Sequence, residues 1–317
     1  MGRHATIESR DRCFHHATLF YAGDREFMRG ALPFLKDALA NAEPALVAVS
    51  ARKIELLRQA LGDDAERVHF AHMQVLGSNP ARIIPAWRRF LGEHASDGGS
   101  ARGIGEPIWA ERSDAELTEC QRHESLLNLA FDGGQAWQLL CPYDLEALED
   151  RVIEAARLSH PFLEQDGIGM ASATYLAGHE APSPFDGDLP APSVAPSELA
   201  FDERKLASVR WFVSQRASAS LDRGRAHDLV LAVNELATNS LLHGGGAGTL
   251  RMWTEADTLL CEVHDHGCIT EPLTGRIAPA HGQHTGRGLW IVNHLCDLVQ
   301  IRSASSGSVV RLHMRLA

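Results

Sequence analysis

The stretch LVLAVNELATNSLLHG, residues 229–244, has the pattern of a helix with two different faces. Glu235, Asn239 and His243 follow one another at intervals of four residues, which places them on one side of a helix. Carboxylate and amide oxygens suit Mg²⁺, which proteins hold with few groups of their own together with substrate phosphates. Asn239 is therefore a candidate Mg²⁺ ligand and Glu235 a candidate general base. A solvated polar helix face is the alternative interpretation.

A second polar group follows at the end of a strand-like run. The sequence CEVHDHGCIT, residues 261–270, places Asp265 at the end of the run and Gly267 two residues later. An acidic group at a strand end can accept the exocyclic amino group of adenine, and a glycine beside it lets the backbone come close to a flat base. The same D-x-G pattern also marks ordinary turns, so both interpretations stay open here.

A third signal lies in TGRGLWIV, residues 285–292, where two glycines precede an apolar helix start. Exposed amides at a helix N-terminus form an anion site. The polar stretch before it, residues 272–284, predicts a mobile lid over phosphates. A surface loop that ends in a helix N-cap is the alternative.

The elements after residue 197 indicate an α+β two-layer sandwich with antiparallel strands. Helices are predicted within 197–220 and over 225–243 and 288–296, and strands over 249–255, 258–265, 298–303 and 308–315.

The first 177 residues alternate between strand-like and helical runs, which predicts an α/β domain with a mainly parallel sheet. The predicted strands are 17–21, 45–49, 68–71, 105–109 and 137–141, and the predicted helices are 26–42, 52–61, 83–94, 114–131 and 144–158.

A proline-rich stretch separates these two parts. Residues 178–197 contain five prolines and few large apolar residues, which is typical of a semi-rigid linker. The predicted organisation is thus a domain over 1–177, a linker over 178–197 and a domain over 198–317. The linker is either a hinge that transmits state or a passive tether.

Bulk composition narrows the classes of function. A formal net charge of −11 disfavours direct binding of nucleic acid, because affinity for phosphate comes from lysine and arginine. The six cysteines show no C-x-x-C spacing, which argues against a zinc ribbon or a redox motif. No stretch approaches the length of apolar sequence that spans a membrane. The N-terminus lacks the apolar core of a secretory signal, and we expect a cytoplasmic protein.

Together the three C-terminal signals resemble a known family. ELATN (235–239), DHG (265–267) and GRGL (286–289) are similar to the N, G1 and G2 boxes of the Bergerat (GHKL) ATP-binding family, and within it to the anti-sigma-factor serine kinases of bacterial partner switching. The resemblance implies the Bergerat fold, ATP and Mg²⁺ as cofactors, Glu235 as the catalytic base, Asn239 as the Mg²⁺ ligand and Asp265 as the adenine-binding acid. The other nucleotide-binding positions that it implies are His243, Gly267, Gly286, Arg287, Gly288 and Leu289.

One position departs from the family pattern. The first glycine box commonly reads D-x-G-x-G, but Ile269 occupies its last position here. Two functions therefore remain open. The first is a kinase that binds a sigma factor and phosphorylates a serine of an anti-sigma-factor antagonist. The second is a nucleotide-gated module that sequesters a partner without phosphoryl transfer. The resemblance also suggests a homodimer. A transcription regulator is a weaker third hypothesis, since no helix-turn-helix signal is present.

Residues 14–176 resemble the MEDS sensory domain of bacterial regulators, which is thought to sense small molecules. HHATLFY (15–21) and CPYD (141–144) carry this resemblance. It implies a sensory pocket, for which the candidate lining residues are Glu106, Trp109, His123, Glu124 and Tyr143. Polar residues that are satisfied within the core are one alternative. A metal site is another, and its candidate ligands are His15, His16, His123 and Cys141.

Overall fold

Two β-sheets organise the chain in a computed structural model that describes residues 13–95, 99–165, 168–178, 181, 185–279 and 286–316. The chain divides into two compact units between Phe185 and Asp186. This boundary falls inside the predicted linker. No helix in the described ranges is long and apolar enough to span a lipid bilayer.

The first unit contains a seven-stranded sheet with the strand order β3-β2-β4-β5-β1-β6-β7. Its strands are β1 (His15–Tyr21), β2 (Ala45–Val49), β3 (Val68–His72), β4 (Arg102–Gly105), β5 (Gln138–Asp144), β6 (Phe162–Gln165) and β7 (Ile168–Ala171). Neighbouring strands run parallel except β6 and β7, which are antiparallel. The prediction of an α/β domain with a mainly parallel sheet is therefore confirmed.

Six α-helices connect these strands within the described residues. They are α1 (Gly23–Ala40), α2 (Ala51–Leu61), α3 (Met73–Leu76), α4 (Ile83–His94), α5 (Asp114–Ala130) and α6 (Asp150–Ser159). A capping box starts α5, because the Ser113 hydroxyl accepts from the Glu116 amide and the Glu116 carboxylate accepts from the Ser113 amide. These bonds satisfy amides that a helix start leaves without partners.

Two predicted elements of the first unit are shifted. The strand predicted at 105–109 is β4, and it ends at Gly105. Pro107 cannot donate a ladder hydrogen bond, and the glycines before it make room for Trp87, whose ring would lie 2.8 Å from a Cβ on Gly103. The helix predicted from residue 144 starts only at Asp150, because β5 continues to Asp144. The last two strands were not predicted.

The second unit is a five-stranded antiparallel sheet covered by helices. The strand order is β11-β12-β10-β9-β8, with β8 (Ser197–Asp202), β9 (Ala247–Glu255), β10 (Thr258–Asp265), β11 (Leu298–Ala304) and β12 (Gly307–Arg315). The helices are α7 (Leu206–Ala217), α8 (Arg223–His243) and α9 (Arg287–Leu295). Their buried side chains form one core with those of the sheet. This confirms the predicted α+β two-layer sandwich.

The start of the second unit differs from the prediction. Residues 197–202, predicted as part of a helix, form β8 and pair with β9. The reason is an alternation with a period of two, since Leu199 and Phe201 point toward the core while their neighbours are more exposed. Phe201 packs so closely on Gly248 that a Cβ there would lie 2.5 Å from its ring. Asp202 then accepts a hydrogen bond from the Arg204 amide and starts the turn that leads into α7.

Part of the predicted linker is bound to the second unit. The Gly187 carbonyl accepts a hydrogen bond from Arg302, and the Pro190 carbonyl accepts one from Arg311. The Ser193 amide donates to the Glu255 carboxylate at 2.7 Å. Residues 187–193 therefore belong to the surface of this unit, while residues 182–184, which include two of the five prolines, lie outside the described residues.

Helix α8 supplies a direct test of the core. Leu229 is 0% exposed, so Leu229→Ala leaves a cavity, and we expect the free energy of unfolding to fall by about 2–5 kcal/mol. Leu242 on the same helix is 70% exposed, so Leu242→Ala should change this free energy by less than about 0.5 kcal/mol. Equilibrium unfolding of the full chain in urea measures both. Equal midpoints for the two variants would show that α8 does not bury the Leu229 face.

Candidate functional site

A cavity of about 320 Å³ in the second unit brings the three polar segments together. Asn239 of α8, Asp265 at the end of β10 and Gly288 at the start of α9 all line it. Four more of the predicted nucleotide-binding residues are also on its wall, namely His243, Gly267, Gly286 and Leu289.

Glu235 and Arg287 are placed differently from the other predicted residues. Glu235 is half-buried beside the start of α9, where a Cβ on Gly288 would lie 3.3 Å from Glu235 Oε2 and 3.1 Å from Asn239 Nδ2. A side chain at position 288 would crowd both groups, so the glycine favours this close approach. Arg287 is exposed to solvent. The carboxylate and the amide thus share one face of α8, and that face meets the start of α9.

The carboxylate of Asp265 is fixed by the predicted Gly267 and by Ser240 and Gly244, which the sequence did not single out. Its Oδ2 accepts a hydrogen bond of 2.6 Å from the Ser240 hydroxyl, and its Oδ1 accepts one of 2.8 Å from the Gly267 amide. Gly244 lies directly against it, since a Cβ there would be 2.5 Å from the Asp265 carboxyl carbon. Each oxygen keeps further acceptor capacity. No local pattern in the sequence marks Ser240 for this role, because its partner is 25 positions away.

Gly267 allows the turn after β10 to pack against the end of α8. A Cβ at this position would lie 2.8 Å from the His243 carbonyl oxygen and 3.0 Å from the Cα of Gly244. Both neighbours are backbone atoms and cannot rotate away. The Gly267 carbonyl accepts a hydrogen bond of 2.9 Å from Ser308, a cavity-lining residue that the sequence analysis did not find.

Ile269, which replaces the usual last glycine of the first box, fits its backbone without strain. Among the described residues other than glycine, only Ala42 and Ala256 have positive φ, so position 269 does not need a glycine. The Ile269 amide donates to Ser303 at 2.7 Å, and its side chain packs on the core of the second unit and lines the cavity. Ile269 therefore gives the cavity an apolar wall, and its backbone conformation is one that any residue can adopt.

The start of α9 has the geometry of an anion site. Gly286 occupies its N-cap with φ 81°, in the left-handed region that favours glycine, and makes no side-chain capping bond. A glycine N-cap has no side chain to occupy the first amides of the helix, which are the groups that bind anions at such a position. Asn293 of the same helix donates to the Gly275 carbonyl at 3.0 Å and holds the preceding loop. Residues 280–285 lie outside the described residues, so the lid over phosphates stays a prediction.

These features define a class of protein. The second unit has an antiparallel sheet covered by helices. Its cavity joins a helix that carries a carboxylate and an amide, an aspartate at a strand end and a glycine-flanked helix start. These are the elements of a Bergerat-type ATP-binding domain. Residues 199–314 match the family described as histidine kinase-like ATPase domain. Residues 15–161 match the family described as MEDS, the methanogen/methylotroph, DcmR sensory domain. The chain combines a MEDS domain with a GHKL-type ATP-binding domain.

Two solved structures align with part of the chain at low sequence identity. The RsbU and RsbW domains of Rv1364c from Mycobacterium tuberculosis align with 19% identity over 39% of this chain and 33% of that chain, with a TM-score of 0.30. The histidine kinase AdeS of Acinetobacter baumannii aligns with 12% identity over 39% of this chain and 69% of that chain, with a TM-score of 0.24. The chain thus aligns with about a third of the length of the first structure. No curated protein matches the sequence.

The first unit contains two groups of polar residues, and its candidate sensory residues are divided between them. The first group joins the carboxyl ends of β1 and β4, where the Tyr21 hydroxyl donates to Glu106 Oε1 at 2.7 Å and Lys53 contacts both residues. Burial raises the pKa of the Glu106 carboxyl above its ordinary value, and the Lys53 ammonium opposes this shift.

The second group surrounds Glu124, whose carboxylate contacts His16, Cys141 and His160. Burial lowers the pKa of His16 to about 4. Burial opposes the ionisation of Glu124, but the contacts with His16 and His160 outweigh it and hold the pKa of this carboxyl below its ordinary value. Tyr143 packs edge-on against His160 with their ring centroids 5.6 Å apart.

The remaining candidate residues of the first unit have other surroundings. Trp109 lies beneath the Arg112 guanidinium, which is 3.7 Å from the ring centroid, and His123 is buried on α5. A cavity of about 600 Å³ in this unit is lined by His15, Arg102 and Glu164 among others, and by none of the five candidates. The sensory pocket therefore stays a prediction. Of the metal ligands considered from sequence, His16 and Cys141 do meet, but with Glu124 and His160 in place of His15 and His123.

Gly267 gives a test of the ATP site. We expect Gly267→Ala to weaken the binding of adenine nucleotide by about tenfold or more, equivalent to about 1.4 kcal/mol, because the new Cβ meets backbone of α8 and displaces the turn. Gly187→Ala is the matched control, since nothing lies within 4 Å of its Cβ. Titration calorimetry with ADP measures both. Unchanged affinity in Gly267→Ala would show that the turn after β10 does not shape the site.

Proposed function

We propose that the second unit is an ATP- and Mg²⁺-dependent protein serine kinase that acts as an anti-sigma regulatory factor. The observation that carries this proposal is the position of Glu235 and Asn239. Both side chains lie against Gly288, at the start of a helix that lines the same cavity as Asp265. A proton acceptor and an oxygen ligand therefore adjoin the anion site, where phosphates bind.

Asp265 provides recognition of the base. Its carboxylate accepts the exocyclic amino group of adenine with the capacity that Ser240 and Gly267 leave free. Because these two donors already fix the carboxylate, little side-chain entropy is lost when the base binds. The turn at Gly267 and the apolar side chain of Ile269 pack on the flat ring.

The residues present suit Mg²⁺. Asn239 offers an amide oxygen beside the Glu235 carboxylate, and oxygen ligands of this kind are those that Mg²⁺ takes in proteins. Asn239 would hold the ion together with the phosphates of ATP, and the bound ion would supply neutralisation of phosphate charge. The amides at the start of α9 bind phosphate oxygens, and the exposed Arg287 adds positive charge beside them.

Glu235 acts as the general base in this proposal. It removes the proton from a substrate serine hydroxyl as the serine oxygen forms a bond to the γ-phosphorus. The bond between this phosphorus and the β–γ bridging oxygen breaks, and ADP leaves with the electron pair. The products are phosphoserine and ADP, and the proton stays on Glu235 until solvent accepts it.

The proposed partners follow from the resemblance of the three boxes to anti-sigma-factor kinases. The substrate is an anti-sigma-factor antagonist with an acceptor serine, and the second partner is a sigma factor that is held while the antagonist is phosphorylated. The first unit adjusts this activity in response to a small molecule, and the kinase units associate as a homodimer. The match of residues 15–161 to a sensory domain family supports the regulatory part.

A second candidate function rests on Ile269, which takes the place of the usual last glycine of the first box and lines the cavity. This departure from the kinase pattern leaves room for a module that binds a nucleotide and sequesters a partner without phosphoryl transfer. Measurement of transfer and of partner binding on the same preparation separates the two functions.

Asp265→Asn tests recognition of the base. The change removes a charged acceptor of a hydrogen bond, which contributes about 1.5–3 kcal/mol, so we expect MgADP affinity to fall by roughly 10- to 150-fold. Asp257→Asn, in the exposed turn between β9 and β10, is the matched control and should bind as the parent does. Calorimetry measures both affinities. Parent-like binding by Asp265→Asn would place the adenine elsewhere.

Glu235→Gln separates catalysis from binding. We expect phosphoryl transfer to purified antagonist proteins to fall by about 10²–10⁴-fold, while MgADP affinity stays within about twofold of the parent. Glu203→Gln, at an exposed position before α7, is the control. Labelled ATP measures the transfer. Full activity in Glu235→Gln would remove this residue as the base. Absence of transfer by the parent, with nucleotide and partner binding intact, would favour the sequestering module.

A further inference from the structure

Four side chains from separate parts of the first unit meet in its interior. His16 lies on β1, Glu124 on α5, Cys141 on β5 and His160 directly after α6. Each offers one ligand atom, and these atoms all lie within 4.8 Å of one another. None of the four residues is more than 1% exposed. Such a concentration of polar groups inside a core requires compensation.

Four of the six distances among these atoms are close to those of a coordination shell. His16 Nε2 is 3.1 Å from Glu124 Oε2 and 3.3 Å from Cys141 Sγ. Glu124 Oε2 is also 3.3 Å from His160 Nε2 and 3.4 Å from Cys141 Sγ. Tetrahedral zinc, with bonds of about 2.0–2.3 Å, separates its ligand atoms by about 3.3–3.7 Å. These four distances suit one ion between the atoms, and all six separations are within 4.8 Å.

The proton of the His16 ring faces away from the cluster. Its Nδ1 lies 3.1 Å from Asn128 Oδ1. The orientation of this amide is fixed, because Asn128 Nδ2 donates to the Ser159 carbonyl at 2.7 Å. Oδ1 can therefore only accept, and the proton of a neutral His16 ring resides on Nδ1. This leaves the lone pair of Nε2 directed at Glu124 and Cys141.

The His160 ring is held in the same manner. Its Nδ1 lies 2.7 Å from the carbonyl oxygen of Ala156, which can only accept a hydrogen bond. The neutral ring therefore carries its proton on Nδ1 and presents the lone pair of Nε2 to the cluster. In the described part of the chain, this Nε2 atom is buried and has no hydrogen-bond partner. A second atom of the cluster, Glu124 Oε1, is in the same situation.

The four facing atoms are thus two imidazole nitrogens with lone pairs, a carboxylate oxygen and a sulfur. Only the Cys141 thiol can supply a proton to the other three. Metal-bound histidines commonly donate their other ring N–H to a carbonyl oxygen or a similar acceptor, as both do here. We propose that His16, Glu124, Cys141 and His160 bind one divalent transition-metal ion of the zinc class. This site is independent of the proposed kinase function.

The ligand types limit the choice of metal. Thiolate and imidazole favour zinc and its neighbours in the transition series, whereas magnesium and calcium take oxygen ligands. A carboxylate and a thiolate carry two negative charges, which a divalent ion neutralises, so the buried cluster has no net charge. Four protein ligands without exposure make a closed site of the structural kind. The ion would connect β1, α5, β5 and the segment after α6.

Metal analysis of the full chain tests the site. We expect about one zinc ion for each chain after purification without chelator, and Cys141→Ser should lose most of it. Cys120→Ser is the matched control, since Cys120 is another buried thiol of the same unit, and its Sγ donates to the Pro107 carbonyl outside the cluster. This control should keep its zinc. Far-UV circular dichroism checks that each variant retains its fold.

Cobalt substitution provides a second measurement, which identifies whether Cys141 is a ligand of the metal. Co²⁺ in the parent and in Cys120→Ser should show a thiolate-to-cobalt charge-transfer band and the intense visible bands of tetrahedral coordination. Cys141→Ser should lose the charge-transfer band. If that variant fails to fold, His160→Gln replaces it, and we then expect weaker cobalt binding with the charge-transfer band retained.

Three outcomes would overturn the proposal. The first is a parent chain that contains no metal and takes up neither Zn²⁺ nor Co²⁺, in which case a shared proton holds the cluster together. The second is an unchanged charge-transfer band in Cys141→Ser, which would place the metal at another cysteine. The third is an equal loss of metal from Cys120→Ser and Cys141→Ser while both stay folded.

Discussion

The contact between the end of α8 and the end of β10 is the constraint on which the ATP site depends. Ser240 donates to Asp265, and the His266 amide donates to the Gly244 carbonyl. A Cβ on Gly267 would lie 2.8 Å from the His243 carbonyl oxygen. Helix and strand can approach this closely only because glycine occupies positions 244 and 267. If the two ends separated, Asp265 would lose its fixed orientation, and Asn239 would no longer share a cavity with it.

Sequence could predict most of the residues around the cavity of the second unit, because they lie in short local patterns. The spacing of Glu235, Asn239 and His243 on one helix, and the glycines around Arg287, are visible without tertiary structure. Ser240 and Ser308 could not be found in this way. Ser240 contacts a residue 25 positions away and Ser308 one 41 positions away, and a lone serine carries no sign of such a partner. The effect of Ile269 also needed the backbone dihedral angles.

In the first unit, the sequence predicted the fold better than the polar sites. Strand and helix alternation predicted its sheet, but the shift of β4 depends on Trp87, which is distant in sequence. The metal ligands considered from sequence included His15 and His16 together, yet neighbouring residues of a strand point to opposite faces. Only one of them can reach a given site, and the structure places His15 against Phe162. His160 follows α6, and nothing in its local sequence connects it to β1.

In both units, buried hydrogen-bond acceptors indicate where a ligand can bind. A buried acceptor without a donor costs about 1–3 kcal/mol, so folded chains normally pair such atoms. Asp265 is paired in part, by two donors that leave capacity on the side of an open cavity, and this is what a small ligand needs. The cluster around Glu124 is closed to solvent, and the rings of His16 and His160 turn their protons outward to Asn128 and Ala156. Acceptors that face one another in this way repel unless a proton or a metal ion lies between them, so the same criterion supports the nucleotide proposed for one unit and the ion proposed for the other.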